Sequence, residues 1–465
     1  MMTMFLLQQL FFLLTVVLAS AFSRRAPLDR PNFLISFVDD LGYGDLGMTG
    51  HPTTNTPNID YYSSMGRRLT SWYSGYPVCS ASRTALLTGR QAPRVGMPGV
   101  INSLGVEGLP LSEKTIANHL SSTHKSFILG KWHQGQRPEY LPQARGFDAF
   151  YGLPYSVDDG IGYATNCTSS SINYDGSQFM EATEAMEAME AVRSNVGLGP
   201  EIPLPLIRQL PNTEGFGEIL SQPTNLVPLT RNMLSFFKNM TTLWKDVPWL
   251  AYVAHPHVHT ATPNIQQIGK YEQYAGCQFV DTTLRGGFGD ALSEMDWMLG
   301  EMIEHVNSLG LTNNTLVLFF SDNGPWLEKN QGGGSVGIFS ANSAPYRNVG
   351  KGSTWEGGIR MPAFIYWPGQ VKPHSRTSAV ISSLDVLPTL VSLANGGSKD
   401  HRQDEDNNTS DEDLILDGMD ASSVFLSPST YLPKWRFNTL LPFWNGPDFS
   451  KPGIDSTVLL SRFQT

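Results

Sequence analysis

Phe33 to Asp40 reads FLISFVDD, a β-rich apolar run stopped by two carboxylates. A run with so little polar alternation fits a strand buried on both faces, as in a parallel sheet covered by helices. The form recurs along the chain. Ser126 to Leu129 (SFIL) ends in Gly130-Lys131-Trp132-His133, and Trp249 to Ala254 (WLAYVA) ends in His255-Pro256-His257-Val258-His259. Leu316 to Phe320 (LVLFF) ends in Ser321-Asp322-Asn323-Gly324, and a fifth run, Ala363 to Trp367, ends in Pro-Gly. Helical stretches at Ser112 to Leu120, Asp290 to Leu309 and Leu384 to Ala394 lie among them. Strands and helices in this succession predict an α/β fold around a mostly parallel sheet.

In open parallel sheets, ligand sites form beyond the carboxyl ends of the strands. Four of these runs deliver Asp, Lys, His and Asn at those ends, so parallel neighbours would gather them on one rim. Asp39, Asp40, Asp322 and Asn323 are hard oxygen donors, suited to calcium or magnesium rather than zinc. Carboxylates crowded on one rim repel unless a cation lies among them. The plainer reading is that Asp39-Asp40 caps the next segment. Lys131, Lys351 and His259 could grip a tetrahedral anion through charge-assisted hydrogen bonds. Lys351 lies in Gly350-Lys-Gly352, a backbone that allows close approach. Two plainer readings stay open: lysines of this kind can serve as structural ion-pair partners, and the three histidines could form a zinc site.

The chain has 465 residues, 40% hydrophobic and 16% charged, with a net charge of -10. That length suits one large α/β domain with an appendage, or two to three ordinary domains. An acidic chain is a poor nucleic-acid binder. At the N-terminus, the apolar core Leu10 to Leu18 is too short for a membrane span, and Ala19-Ser20-Ala21 is a small-x-small cleavage signal. Residues 1–21 are therefore expected to be a secretory signal peptide, with a membrane anchor as the alternative. No later segment is apolar enough to span a bilayer, so no stable membrane insertion is expected. Glycosylation acceptors at Asn166, Asn239, Asn313, Asn407 and Asn408 fit a secretory route. So does the cysteine count. Cys167 and Cys277 are able to pair in an oxidising compartment, which would leave Cys79 as an odd thiol. Met180 to Arg193 repeats Glu-Ala-Met and reads as a surface helix. Ser398 to Asp413 reads as an acidic, solvated loop.

Cys79 sits in Pro77 to Arg90, PVCSASRTALLTGR. This stretch resembles the signature of the sulfatase family, Cys-x-Pro-x-Arg followed by Leu-Thr-Gly-Arg. The match is Cys79-Ser-Ala-Ser-Arg83 and Leu87-Thr-Gly-Arg90, with Ala81 in place of the usual proline. Four further segments resemble the family in the family's order. They are Asp39-Asp-Leu-Gly-Tyr-Gly-Asp-Leu-Gly47, Gly130-Lys-Trp-His133, Ser321-Asp-Asn-Gly324 and Gly350-Lys-Gly-Ser-Thr-Trp-Glu-Gly-Gly358. Gln134 stands where leucine is commoner, and Pro154-Tyr-Ser156 resembles the stretch that supplies a sulfate-binding serine. The likeness spans about Pro31 to Asp420 and looks nearest to the arylsulfatase A branch.

The resemblance implies an alkaline-phosphatase-like α/β sandwich with a small antiparallel C-terminal subdomain. It implies that Cys79 is oxidised to formylglycine by a formylglycine-generating enzyme, and that one calcium ion is held by Asp39, Asp40, Asp322, Asn323 and residue 79. Arg83 would stabilise the aldehyde hydrate, and His133 would orient it and handle its proton. Lys131, Ser156, His259 and Lys351 would bind the sulfate of a sulfate ester substrate. The implied division is a catalytic domain over residues 22–395 and an acidic loop with a shortened subdomain over 396–465. The implied location is the lysosome or the extracellular space, and a homo-oligomer stays open. Two other readings remain. One is a phosphatase or phosphodiesterase of the same superfamily, which more often uses Ser or Thr and two zinc ions. The other is a truncated, non-catalytic secreted protein.

Overall fold

The computed structural model describes residues 30–160, 162, 167, 203–212, 215–261, 274–340, 349–396 and 415–426. The expected signal peptide, the Met180 to Arg193 helix, the acidic loop and the C-terminal subdomain beyond residue 426 lie outside the described residues. So do the glycosylation acceptors Asn166, Asn407 and Asn408.

The strands are β1 (Asn32–Val38), β2 (Arg67–Leu69), β3 (Trp72–Tyr73), β4 (Lys125–Lys131), β5 (Ala149–Leu153), β6 (Leu206–Gln209) and β7 (Glu218–Ser221). They continue as β8 (Trp249–His255), β9 (Thr315–Ser321), β10 (Arg360–Met361), β11 (Ala363–Tyr366), β12 (Ser375–Thr377) and β13 (Ile381–Ser382). Ten of them form one sheet in the order β12-β2-β11-β9-β1-β8-β4-β5-β6-β7. The central run β9-β1-β8-β4-β5 is parallel throughout. Towards the edges, β11 joins β9 and β6 joins β5 antiparallel, so the sheet is mixed with a parallel centre. A three-stranded sheet, β10-β3-β13, stands apart from it.

Each apolar run becomes a strand; the first four are extended by one to three residues, and the fifth loses Trp367. The last run is the exception in direction. The chain reaches β11 from the rim, after Gly324 N–H has bonded Gly358 O at 2.9 Å, and so β11 runs away from the rim.

Side chains alternate across a strand, and β1 feeds two cores at once. Leu34 and Val38 enter one; Phe33, Ile35 and Phe37 enter the other. The first core is covered by α1 (Pro57–Met65), α3 (Leu229–Leu243) and α4 (Gly286–Ser308), the second by α2 (Cys79–Thr88) and α5 (Val386–Ala394). Helix α4 shows the helical period plainly: Ala291, Leu292, Met295, Met298, Leu299, Met302 and Ile303 are all buried. Among the described residues, no helix is long and apolar enough to cross a membrane. Cys167 and Cys277 are joined in a disulfide, and Cys79 is a buried free thiol. Asn239 and Asn313 both lie at exposed positions.

Candidate active site

Register explains the convergence. Val38 pairs with both His255 and Ser321, and Lys131 pairs with Leu153. The residues just beyond these positions therefore leave the sheet on one rim. Gly130 makes the approach of β4 to β8 feasible, because a Cβ there would lie 2.0 Å from Ala254 O. At the turn itself, Asp40 and His133 both take φ of 58°, in the left-handed region. Non-glycine residues held there cost of order 1–3 kcal/mol and cluster at functional sites.

Helix α2 delivers Cys79 to the same rim. Cys79 is its first residue, Val78 provides no side-chain cap, and all ten residues are buried. The unpaired first-turn N–H groups and the positive end of the helix dipole thus face the rim. Cys79 Sγ lies 3.8 Å from Asp39 Oδ1. Ligand atoms of Asp39, Asp40, Cys79 and His259 all lie within 4.8 Å of one another. His259 is an addition to the expected oxygen set. Asp322 stands beside that group: its Oδ1 accepts from Asp40 N at 3.1 Å and its Oδ2 from Arg83 Nη2 at 2.8 Å.

Cations enclose these carboxylates. Lys131 Nζ donates to Asp39 Oδ2 at 2.6 Å and to Ser156 Oγ at 2.9 Å. Arg83 Nη1 also donates to Lys131 O at 3.0 Å. Lys351 Nζ donates to Asp40 Oδ2 at 2.8 Å and lies 2.9 Å from His259 Nε2. Burial alone would push the Asp39 carboxyl up, but Lys131, His259, Arg83 and Lys351 outweigh it and hold it well below the usual carboxylate range. Asp322 goes the other way. Burial, with the charge of Asp39, raises it to about 7 despite Arg83. Lys131 and Lys351 are both raised, because Asp39 and Asp40 overcome their desolvation.

His259 Nδ1 lies 2.7 Å from Thr260 O, a carbonyl that takes the Nδ1 proton, and Nε2 lies 2.9 Å from the Lys351 ammonium. Burial and Lys351 oppose a second ring proton, yet Asp158 and Asp40 raise its pKa to about 9. A sulfuryl anion between the two groups would let both stay charged. His133 stands slightly apart. Its Nε2 contacts Ile101 O at 2.7 Å and Asp159 Oδ2 at 3.3 Å, while its buried Nδ1 has no partner. Burial and Lys131 lower its pKa, so the ring is held neutral.

Every candidate residue read from the sequence thus lies at this rim. Asp158, Asp159 and Trp326 were not read from it. Asp158 Oδ1 lies 3.7 Å from His259 Nδ1, and Trp326 packs edge-on against the same ring at 5.6 Å. The two aspartates follow Ser156 in the loop after β5, so the strand-end rule that marked Asp39 would have marked them too. Gln134, a departure from the family pattern, bonds Thr84 Oγ1 at 2.7 Å and Ser80 O at 2.8 Å, and so ties the Lys131 segment to α2.

The donor set fits a hard cation. Asn323 Nδ2 is committed to Asp40 Oδ1 at 2.7 Å and Gly324 O at 2.9 Å. Its buried Oδ1 has no partner and remains an open acceptor beside the carboxylates.

The chain is similar to known proteins over most of its length. The family model described as Sulfatase matches residues 31–396. Arylsulfatase A of Bos taurus is 35% identical over 419 residues, covering 89% of this chain and 70% of that protein. Arylsulfatase G of Rattus norvegicus is 32% identical over 451 residues, covering 95% of this chain and 76% of that protein. The solved PsFucS1 sulfatase from Pseudoalteromonas sp. superposes with a TM-score of 0.68 at 25% identity, covering 92% of this chain and 76% of that one. The match runs through the strands and helices that build the rim, and the chain accordingly belongs to the sulfatase family, close to arylsulfatase A, as a sulfatase enzyme.

Proposed function

We propose that this enzyme cleaves sulfate monoesters, aryl or carbohydrate and glycolipid, through a formylglycine hydrate made from Cys79 and a covalent sulfate ester. The observation that carries the reading is the setting of Cys79. It is an unpaired, buried thiol at the head of α2, with metal-type carboxylates on one side and anion-binding lysines nearby. A thiol nucleophile needs no such cage, whereas an aldehyde hydrate gains from one.

In the hydrate, one hydroxyl gives up its proton and attacks sulfur as the S–O bond to the alcohol breaks, and that proton balances the one the alkoxide gains. The leaving alkoxide takes up a proton, and the enzyme keeps a sulfate ester on residue 79. The second hydroxyl then loses its proton, the C=O bond re-forms and the C–O bond to sulfate breaks. Covalent catalysis divides one hard step into two. His133 takes the hydroxyl proton on this reading, which its buried and unpartnered Nδ1 supports. Lys131, Lys351, His259 and Ser156 hold the sulfuryl oxygens, and Arg83 fixes Asp322 and Asp39 behind the hydrate. A calcium ion held by Asp39, Asp40, Asp322, Asn323 and the residue 79 oxygen would neutralise sulfuryl charge and acidify the attacking hydroxyl.

The same reading assigns maturation to a formylglycine-generating enzyme in the secretory pathway, with delivery to the lysosome or outside the cell. The Cys167–Cys277 disulfide and the exposed acceptors Asn239 and Asn313 support that route. Mass spectrometry of the peptide around residue 79, from protein made through a eukaryotic secretory pathway, tests the whole scheme. The aldehyde or its hydrate is expected. Unmodified cysteine alone in freshly secreted protein would overturn it.

A further inference from the structure

Trp326 is half-buried, just beyond Asn323 in the loop that follows β9. Its indole lies against three side chains. Lys351 Nζ is 4.8 Å from the ring centroid and Lys329 Nζ 4.7 Å, and the His259 ring meets it edge-on at 5.6 Å. Two of those three, Lys351 and His259, are the groups read above as binding sulfuryl oxygens.

Lys351 needs such a neighbour. Lysine is a compact charge on a flexible stem, and this one sits between two glycines. Gly352 has φ of +82°, and a Cβ there would meet nothing within 4 Å. Gly350 is tight, since a Cβ there would lie 2.4 Å from Pro325 O, so the main chain is held on the Pro325 side while the ammonium, at the end of a flexible stem, is located by its own contacts. Asp40 Oδ2 at 2.8 Å pulls it towards the metal-type carboxylates. The Pro325-Trp326 pair holds it from the other direction. Lys351 N–H donates to Pro325 O at 2.9 Å, and the ammonium at the far end of the side chain meets the neighbouring indole. Main chain and side chain of Lys351 therefore lean on the same two residues. An indole face attracts a cation, and more so when water is excluded.

We propose that Trp326 is a positioning residue for sulfate-ester cleavage, seating the Lys351 ammonium and the His259 ring so that both address one sulfuryl group. The proposal rests on the reading of Lys351 and His259 as sulfate-binding residues. It places no contact between Trp326 and the leaving alcohol, and that makes it separable from a substrate-platform role.

The test uses the mature full-length enzyme as wild type, Trp326→Leu and Trp326→Phe, with and without Lys351→Ala. Turnover is read with a nitrophenyl sulfate and a coumarin-based sulfate, and inhibition with inorganic sulfate. Trp326→Leu is expected to lower kcat/KM about tenfold, equally for both rings, and to weaken sulfate inhibition in parallel at unchanged Tm. Trp326→Phe keeps an aromatic face and should recover most of the loss, which also covers a leucine variant that fails to fold. In the Lys351→Ala background, Trp326→Leu should cost far less than in the wild type, the mark of coupled residues. Near-wild-type activity of Trp326→Leu, a loss that depends on the leaving ring, or full additivity with Lys351→Ala would each overturn the proposal. Wild-type turnover judges the parent reading; the variant-to-wild-type ratio and the additivity judge this one.

Discussion

Arg83 and Asp322 meet at 2.8 Å between Nη2 and Oδ2, and neither side chain reaches solvent. Removing one partner from a buried pair strands the other charge, which costs about 3–5 kcal/mol. Arg83→Ala should therefore unfold at distinctly lower urea concentration as well as lose activity. Unchanged stability would show that the guanidinium is not what balances Asp322.

The two lysines should separate. Lys131 is wholly buried against Asp39, whereas the Lys351 side chain keeps 13% exposure and leans on Trp326. Lys351→Ala should stay folded and lose on the order of 10²–10³ in turnover, as for loss of one transition-state donor. Lys131→Ala should lose turnover too, but with a clear fall in Tm. Near-normal turnover of either variant would remove that lysine from the site.

Cys79→Ser should attack but not release. A serine carries one hydroxyl, so no second one can re-form a carbonyl and expel sulfate. Incubation with an aryl sulfate should leave a sulfate ester on the peptide containing residue 79, seen as a mass increase, with no sustained turnover. Steady multiple turnover by Cys79→Ser would contradict the hydrate mechanism.

Elemental analysis should find about one hard divalent ion per chain, as a mononuclear oxygen site requires. Asn323→Ala deletes the open Oδ1 acceptor and should weaken that binding while the protein stays folded. Two tightly held zinc ions would move the assignment to the phosphatase side of the superfamily.

Asp296, whose carboxylate accepts hydrogen bonds from Asn58 and Ile59, offers a pH test. Burial raises its pKa to about 6, against hydrogen bonds from Ile59 and Asn58. A carboxyl raised on folding favours its neutral form. Its contribution to stability is full below about pH 4 and is lost as pH rises through about 6. Asp296→Asn stays neutral, so its stability relative to wild type should improve by about 2–3 kcal/mol from pH 4 to pH 7. Urea unfolding of both proteins at each pH measures this, and a constant difference would refute it.

The central strands were legible because burial on both faces leaves an apolar run with almost no polar interruption. Asn32–Val38 exceeds the expected run by one residue at its start, and Thr315–Ser321 by one residue at each end. Direction was not legible. Ala363–Tyr366 is as apolar as its parallel neighbours, and only the path of the Lys351 loop turns it around. The same limit applies to Trp326. Its role depends on a lysine and a histidine brought to it from distant segments, and no local pattern records that meeting. Helix α2 was masked for a different reason. All ten residues of Cys79–Thr88 are buried, so no polar face marks a helical period.

Cys79 is only 2% exposed, and of the residues grouped around its sulfur Asp39 and Asp40 precede it in the chain while His259 follows it. During synthesis, α2 emerges before β4, β5, β8 and β9 exist to cover it. Any enzyme that acts on this thiol has access only in that interval. On the proposed reading, modification and folding would compete in time, and a chain whose sheet closed first would keep its sulfur. The chemical identity of residue 79 would then record the order in which two processes finished.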